Sequence, residues 1–175
     1  MNKNKAIFLD RDGIINKSII INNKPHSPKS IAEVELVSGI KELLGYLSRY
    51  YLLIVITNQP EIARGSITLL DVIKINDYLY FQSGSFIADF YICPHDDMDS
   101  CFCRKPKPGM LLDAAQKYNI DLSQSHLVGD RWSDIEAGNA AGCQTIWVDY
   151  GYHERKPYHS DFIVHSIKDI VSIIQ

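Results

Sequence analysis

The chain has 175 residues, 46% apolar and 22% charged, with a formal net charge of −3. That size and mixture suit one globular domain, 1–175, and the weakly acidic balance excludes a typical nucleic-acid binder with its basic face. The polar MNKNK start and the absence of any run near the ~18 apolar residues of a membrane span point to a cytoplasmic, monomeric protein with no secretory signal and no membrane partner.

Short apolar runs alternate with amphipathic stretches. Ala6–Leu9 reads as a buried strand that ends at Asp10. Residues 37–49 carry apolar side chains at 40, 43, 44 and 47, the spacing of one helix face. A second strand, 51–56, runs into Thr57-Asn58, and 67–82 reads as a helix. Strand 86–92 precedes Cys93, and helix 110–118 follows Pro108-Gly109. Strand 126–128 ends at Gly129-Asp130, and helix 133–141 stops at Gly142, a suitable left-handed cap. Strands 145–148 and 162–164 and a helix over 167–174 close the chain. The alternation predicts an α/β fold: a three-layer, mostly parallel sheet with helices on both faces and no large cap domain. Ligands of such sheets bind beyond the carboxyl ends of the strands. Asp10, Thr57-Asn58, Cys93 and Asp130 all fall there.

Asp10-Arg11-Asp12-Gly13 places two carboxylates two residues apart just past a strand. On its own this is as much a turn as a catalytic pair. Read chemically, Asp10 can attack phosphorus and form an aspartyl-phosphate. Asp12 can protonate the leaving group and then deprotonate water. A divalent metal would let a carboxylate approach an anionic phosphate. Thr57 and Asn58 offer donors to phosphate oxygens, Arg104 and Lys105 add cations, and Asp130 adds a further hard oxygen ligand.

Three of the four cysteines lie within eleven residues: Cys93-Pro94-His95, then Cys101-Phe102-Cys103. In a cytosolic chain such a cluster reads as metal ligation rather than disulfides. Three thiols and an imidazole suit a closed, structural zinc site. Cys103 adjoins Arg104-Lys105, so folding this loop around zinc would aim the two cations.

The order LDRDG, ITNQ, CRKPKPGM and VGDRWSDIEAGNAAG resembles the haloacid dehalogenase (HAD) superfamily. Within it the chain is similar to the small branch that holds histidinol-phosphate and heptose 1,7-bisphosphate phosphatases, some of which share the C-x-H…C-x-C loop. The resemblance implies Asp10 as nucleophile, Asp12 as acid/base, and Thr57 and Lys105 on the transferring phosphoryl group. It implies magnesium held by Asp10, Asp130 and the backbone carbonyl of Asp12, with Arg104 and Arg131 on the substrate. Many relatives read TNQSG where this chain has Pro60-Glu61, which leaves the distal contacts open. The expected activity is magnesium-dependent hydrolysis of a small sugar phosphate, most simply heptose 1,7-bisphosphate. Histidinol phosphate is the rival substrate, and a non-catalytic zinc-stabilised binding module is the reading of another class.

Overall fold

The structure, a computed structural model, describes residues 3–174. In chain order the strands are β1 (Ala6–Leu9), β2 (Ile19–Ile21), β3 (Lys24–His26), β4 (Leu52–Asn58), β5 (Asp89–Cys93), β6 (His126–Gly129), β7 (Gln144–Val148) and β8 (Phe162–Val164). The helices are α1 (Ile40–Leu47), α2 (Leu69–Gln82), α3 (Gly109–Tyr118) and α4 (Trp132–Ala141). Six strands form one sheet in the order β5-β4-β1-β6-β7-β8, and every pairing in it is parallel.

Side-chain alternation along the strands explains the two cores. Ile7, Leu9, Leu53 and Val55 face α1, α2 and the C-terminal turn over Ile167–Ser172. Phe8, Ile54, Ile56 and Leu127 face α3 and α4. Strands buried on both faces read as continuous apolar runs, and that is how β1 and β4 are written.

Several boundaries differ from the sequence reading, each for a local reason. Helix α1 starts at Ile40 because Gly39 is left-handed, with φ of 88°. Helix α2 starts at Leu69, behind a Thr68–Asp71 capping box. Strand β5 begins only at Asp89, since the chain is still turning at Ser85, whose φ is 61°. The expected last helix is a 3-10 helix over Ile167–Ser172. Its β-branched residues disfavour an α-helix, and its buried Ile167 and Ile170 lie three apart, the repeat of the tighter turn.

The hairpin β2–β3 was not foreseen. Its turn residues Asn22 and Asn23 have φ of 52° and 59°, the positive pair that a two-residue type I′ hairpin needs. No helix among the described residues is long and apolar enough to cross a membrane.

Candidate active site

The central strand β1 pairs with β4 on one side and β6 on the other, with Leu9 opposite both Val55 and Val128. Asp10 and Asp130 follow their strands directly and Thr57 is the last residue but one of β4, so all three come to the same edge of the sheet. It lies where the chain changes direction across the sheet, the expected place for a ligand in this architecture. Asp10, Asp12, Thr57, Asn58, Lys105 and Arg131 all line one small pocket of about 50 Å³.

Asp10, Asp130 and Asp134 each bring a carboxylate oxygen within 4.8 Å of the others, and all three are buried. Lys105 Nζ lies 2.7 Å from Asp10 Oδ1 and 2.7 Å from Asp134 Oδ1, and it donates to the Ile56 carbonyl at 2.9 Å. Burial alone would depress the Lys105 pKa, but the two carboxylates overcome it and raise it. For Asp10 the balance goes the other way. Burial, then Asp134, push it up to about 7 despite Lys105. Asp130 is raised well above the carboxylate range by burial and by Asp10 and Asp134.

Asp12 is treated differently. Burial works to raise its pKa, but the Arg11 guanidinium and several hydrogen bonds outweigh it, so Asp12 is held below the usual range. Arg11, fully buried, donates from Nε at 3.0 Å and from Nη2 at 2.9 Å. Asn16, Ser27 and Gln59 donate to the same carboxylate at 2.9, 2.7 and 2.9 Å. Arg11 is itself braced by Asn76 on α2.

Two glycines let these groups converge. Gly13 has φ of 99°, and a Cβ there would sit 1.9 Å from Asp130 Oδ2. At Gly129 a Cβ would sit 2.2 Å from Asp134 Cβ. The Tyr150 hydroxyl donates to the Gly13 carbonyl at 3.0 Å, and the Trp147 indole donates to the Asp130 carbonyl at 3.0 Å. The site is thus tied to the far end of the sheet.

The charges test whether a hard cation fits. Buried at the site are four carboxylates (Asp10, Asp12, Asp130, Asp134) and two cations (Arg11, Lys105), a formal balance of −2. Among the described residues, neither of the two buried oxygens of Asp130 has a hydrogen-bond partner. Unpartnered carboxylate oxygens in a cluster whose full ionisation would leave two negative charges uncompensated suit a divalent oxygen-seeking ion.

A second cluster fits a softer ion. Cys93 Sγ lies 3.6 Å from Cys101 Sγ and 3.2 Å from Cys103 Sγ, and the latter two are 3.4 Å apart. His95 Nδ1 lies 3.3 Å from Cys103 Sγ and 3.7 Å from Cys93 Sγ. A tetrahedral zinc with ordinary Zn–S bonds implies S···S edges of about 3.8 Å, close to this spacing. The four residues predicted from the sequence are the four brought together. Lys107 braces the loop by donating to the carbonyls of Ser100 and Cys101.

A family model described as HAD-hydrolase-like matches residues 102–170. Over 148 residues the chain is 42% identical to the D-glycero-alpha-D-manno-heptose-1,7-bisphosphate 7-phosphatase of Campylobacter jejuni, covering 82% of this chain and 81% of that protein. The chain belongs to the heptose-bisphosphate phosphatase family of the HAD superfamily. It is also 43% identical over 143 residues to the beta-anomer 7-phosphatase of Helicobacter pylori, with 79% of each covered. The solved structure of the D,D-heptose 1,7-bisphosphate phosphatase from B. bronchiseptica, complexed with magnesium and phosphate, superimposes with a TM-score of 0.79 at 27% identity over 97% of each chain. This protein is accordingly a phosphatase of the HAD type, and its parallel sheet is the fold of that superfamily.

Outside the small pocket this phosphatase opens into a groove of about 900 Å³. The hairpin β2–β3 forms one wall, Pro60-Glu61 and Arg64 another, and Arg104, Arg131 and Trp132 line it as well. Arg104 donates from Nε to Asp97 at 2.7 Å and from Nη1 to the His95 carbonyl at 3.2 Å, so the cysteine loop does hold it. Lys105 is held from elsewhere. Asn58 Nδ2 donates to the Lys105 carbonyl at 3.0 Å, and the Lys105 amide donates to Asn58 Oδ1 at 3.1 Å. Asn58 is therefore engaged at both ends as a clamp on Lys105, with one N–H of its amide left over at the pocket it lines. The Thr57 hydroxyl accepts from Gln59 at 2.9 Å and keeps its own proton to donate.

The sequence motifs alone do not assign Asp134, Gln59, Ser27, Asn16 or Arg11 to the site. Asp134 had a signal, its place four residues after Asp130 at a helix start. Gln59 closes the ITNQ motif, whereas Ser27 carries no signal, because only folding brings the hairpin onto Asp12.

Proposed function

We propose that this phosphatase hydrolyses the 7-phosphate of a heptose 1,7-bisphosphate, with magnesium at Asp10, Asp130 and the Asp12 carbonyl and with zinc at Cys93, His95, Cys101 and Cys103. The observation that carries the reading is the buried cluster of Asp10, Asp130 and Asp134 around Lys105, beside a groove of about 900 Å³.

An Asp10 carboxylate oxygen attacks phosphorus, forming the Asp10 O–P bond as the bond from phosphorus to the sugar oxygen breaks. Asp12 supplies the proton to the departing alkoxide. Water, deprotonated by Asp12, then attacks the same phosphorus and releases inorganic phosphate with Asp10 restored. The ring of donors around Asp12 keeps it ionised in the free site, the state the second step needs. An arriving phosphate dianion raises its pKa and loads it with the proton needed in the first. Thr57 donates to a phosphoryl oxygen. The three Lys105 donors are already committed, so Lys105 acts on phosphate through its charge and holds Asp10 in place. Magnesium, when bound, would offset the repulsion between carboxylate and phosphate.

The relatives act on different anomers of the substrate, so the test is a magnesium-dependent phosphate-release screen with both anomers of heptose 1,7-bisphosphate. Histidinol phosphate and simple sugar phosphates complete the panel, and Asp10→Asn is the control. Release that is selective for a heptose bisphosphate and absent from Asp10→Asn is expected. Equal inertness of wild type and variant would sink the phosphatase mechanism.

A further inference from the structure

Arg131, like Lys105, lines both the small pocket and the open groove, and of the two it is the one with an exposed side chain. It follows Asp130 directly, so its backbone is fixed by the site, and its amide donates to Asp134 Oδ2 at 3.0 Å. Its side chain is 43% exposed and would be free to sample many rotamers. It does not, because Glu154 grips it. Arg131 Nε donates to Glu154 Oε1 at 2.8 Å and Nη2 donates to Oε2 at 2.7 Å. The fork uses two of the three nitrogens and leaves Nη1 without a protein acceptor among the described residues.

Glu154 is itself anchored. Its amide bonds the Tyr152 carbonyl at 2.9 Å, and the neighbouring His153 amide donates to the Asn23 carbonyl at the hairpin tip at 3.2 Å. On its other side Arg155 pairs with Glu136 of α4 and lies over the Trp132 ring, 4.2 Å from the centroid. Arg104 also lines the groove and is held by Asp97 and the His95 carbonyl through Nε and Nη1, with Nη2 left over among the described residues. A partly exposed ion pair contributes little to stability. What a bidentate pair supplies is direction.

We propose that Glu154 is a positioning residue for substrate recognition: its fork holds Arg131 so that the free Nη1 group faces the groove and receives the second, non-reacting phosphate of a bisphosphorylated sugar. This rests on the bisphosphate reading above and adds to it the residue that sets the geometry of one distal contact. Glu154 lowers the net charge of Arg131 yet removes the ordering cost that the ligand would otherwise bear, and for a phosphate captured by one directed N–H group the ordering dominates.

The experiment uses the full chain with its metals. KM and kcat are measured for heptose 1,7-bisphosphate and for mannose 6-phosphate, which has only the reacting phosphate. Glu154→Ala is expected to lower the selectivity for the bisphosphate roughly three- to tenfold, the range set by ordering one long side chain on binding, and to do so through KM. Added to Arg131→Ala, it should lower selectivity no further. Glu154→Gln, which keeps the side-chain volume and one acceptor oxygen, should give an intermediate value and serves if the alanine variant folds poorly. Equal losses on both substrates, a gain in bisphosphate affinity, or additive losses in the double variant would each overturn the proposal. If wild type cleaves the bisphosphate but the Glu154 variants keep its selectivity, only this inference fails. If wild type does not cleave the bisphosphate, the proposed function fails and this inference with it.

Discussion

Replacing Lys105 with methionine tests the electrostatic account of the site. The change keeps a long apolar stem and removes one charge. Lys105 is 4% exposed and bonded to Asp10, Asp134 and the Ile56 carbonyl, so no water can replace it cheaply. Four buried carboxylates would then face a single buried cation, Arg11. Removing one partner of a buried pair costs about 3–5 kcal/mol. For a domain of this size that is a fall in Tm of about 6–20 °C.

The site has one means of relief, protonation. Asp10 has a folded pKa near 7 against 3.8 for the free group. Between these values the folded chain binds more protons than the unfolded chain, so this residue's contribution to stability falls as pH rises. Losing Lys105 removes a lowering influence and extends that window upward. The deficit should therefore be larger at pH 8 than at pH 6, and magnesium should narrow it by restoring positive charge. Urea unfolding in magnesium-free buffer that leaves zinc bound, followed by tryptophan fluorescence at both pH values, reads this directly. A deficit under about 0.5 kcal/mol at pH 8, or one that is larger at pH 6, would refute the reasoning.

Two further outcomes follow from the geometry. Gly13→Ala puts a Cβ where Asp130 Oδ2 now lies and imposes a strained φ; it should cost about 1–3 kcal/mol by urea titration and weaken magnesium binding seen by calorimetry. Unaltered magnesium affinity would mean that Asp130 is not a ligand. Cys101→Ser should abolish bound zinc measured by elemental analysis and raise KM more than it lowers kcat, because the loop holds Arg104 whereas Asn58 holds Lys105. A fall in kcat alone would show instead that the loop acts on the reacting centre.

The chemistry of this protein was legible in residue types at strand ends. Apolar runs such as Ala6–Leu9 and residues 52–56 must be buried on both faces, so the polar groups that follow them are delivered to one edge of the sheet. That is why Asp10, Thr57 and Asp130 could be picked out in advance. The Cys93, His95, Cys101 and Cys103 cluster was legible because thiols and an imidazole so near one another on a polar loop have few other uses. What lay beyond reach were contacts between segments distant in sequence. Whether Asn58 clamps Lys105, and whether Arg131 is free or held by Glu154, depends on a backbone 47 residues away and a side chain 23 residues away.

The division has a physical basis. Local composition determined the alternating α/β pattern, the candidate phosphoryl-transfer residues and the candidate zinc ligands, since each follows from burial period or from ligand chemistry within a few residues. Tertiary structure decided the protonation balance of the site and the shape of its groove. Both depend on which carboxylates share one buried volume, and that is a property of packing: Asp10 is raised to about 7 while Asp12, two residues on, is held down by Arg11.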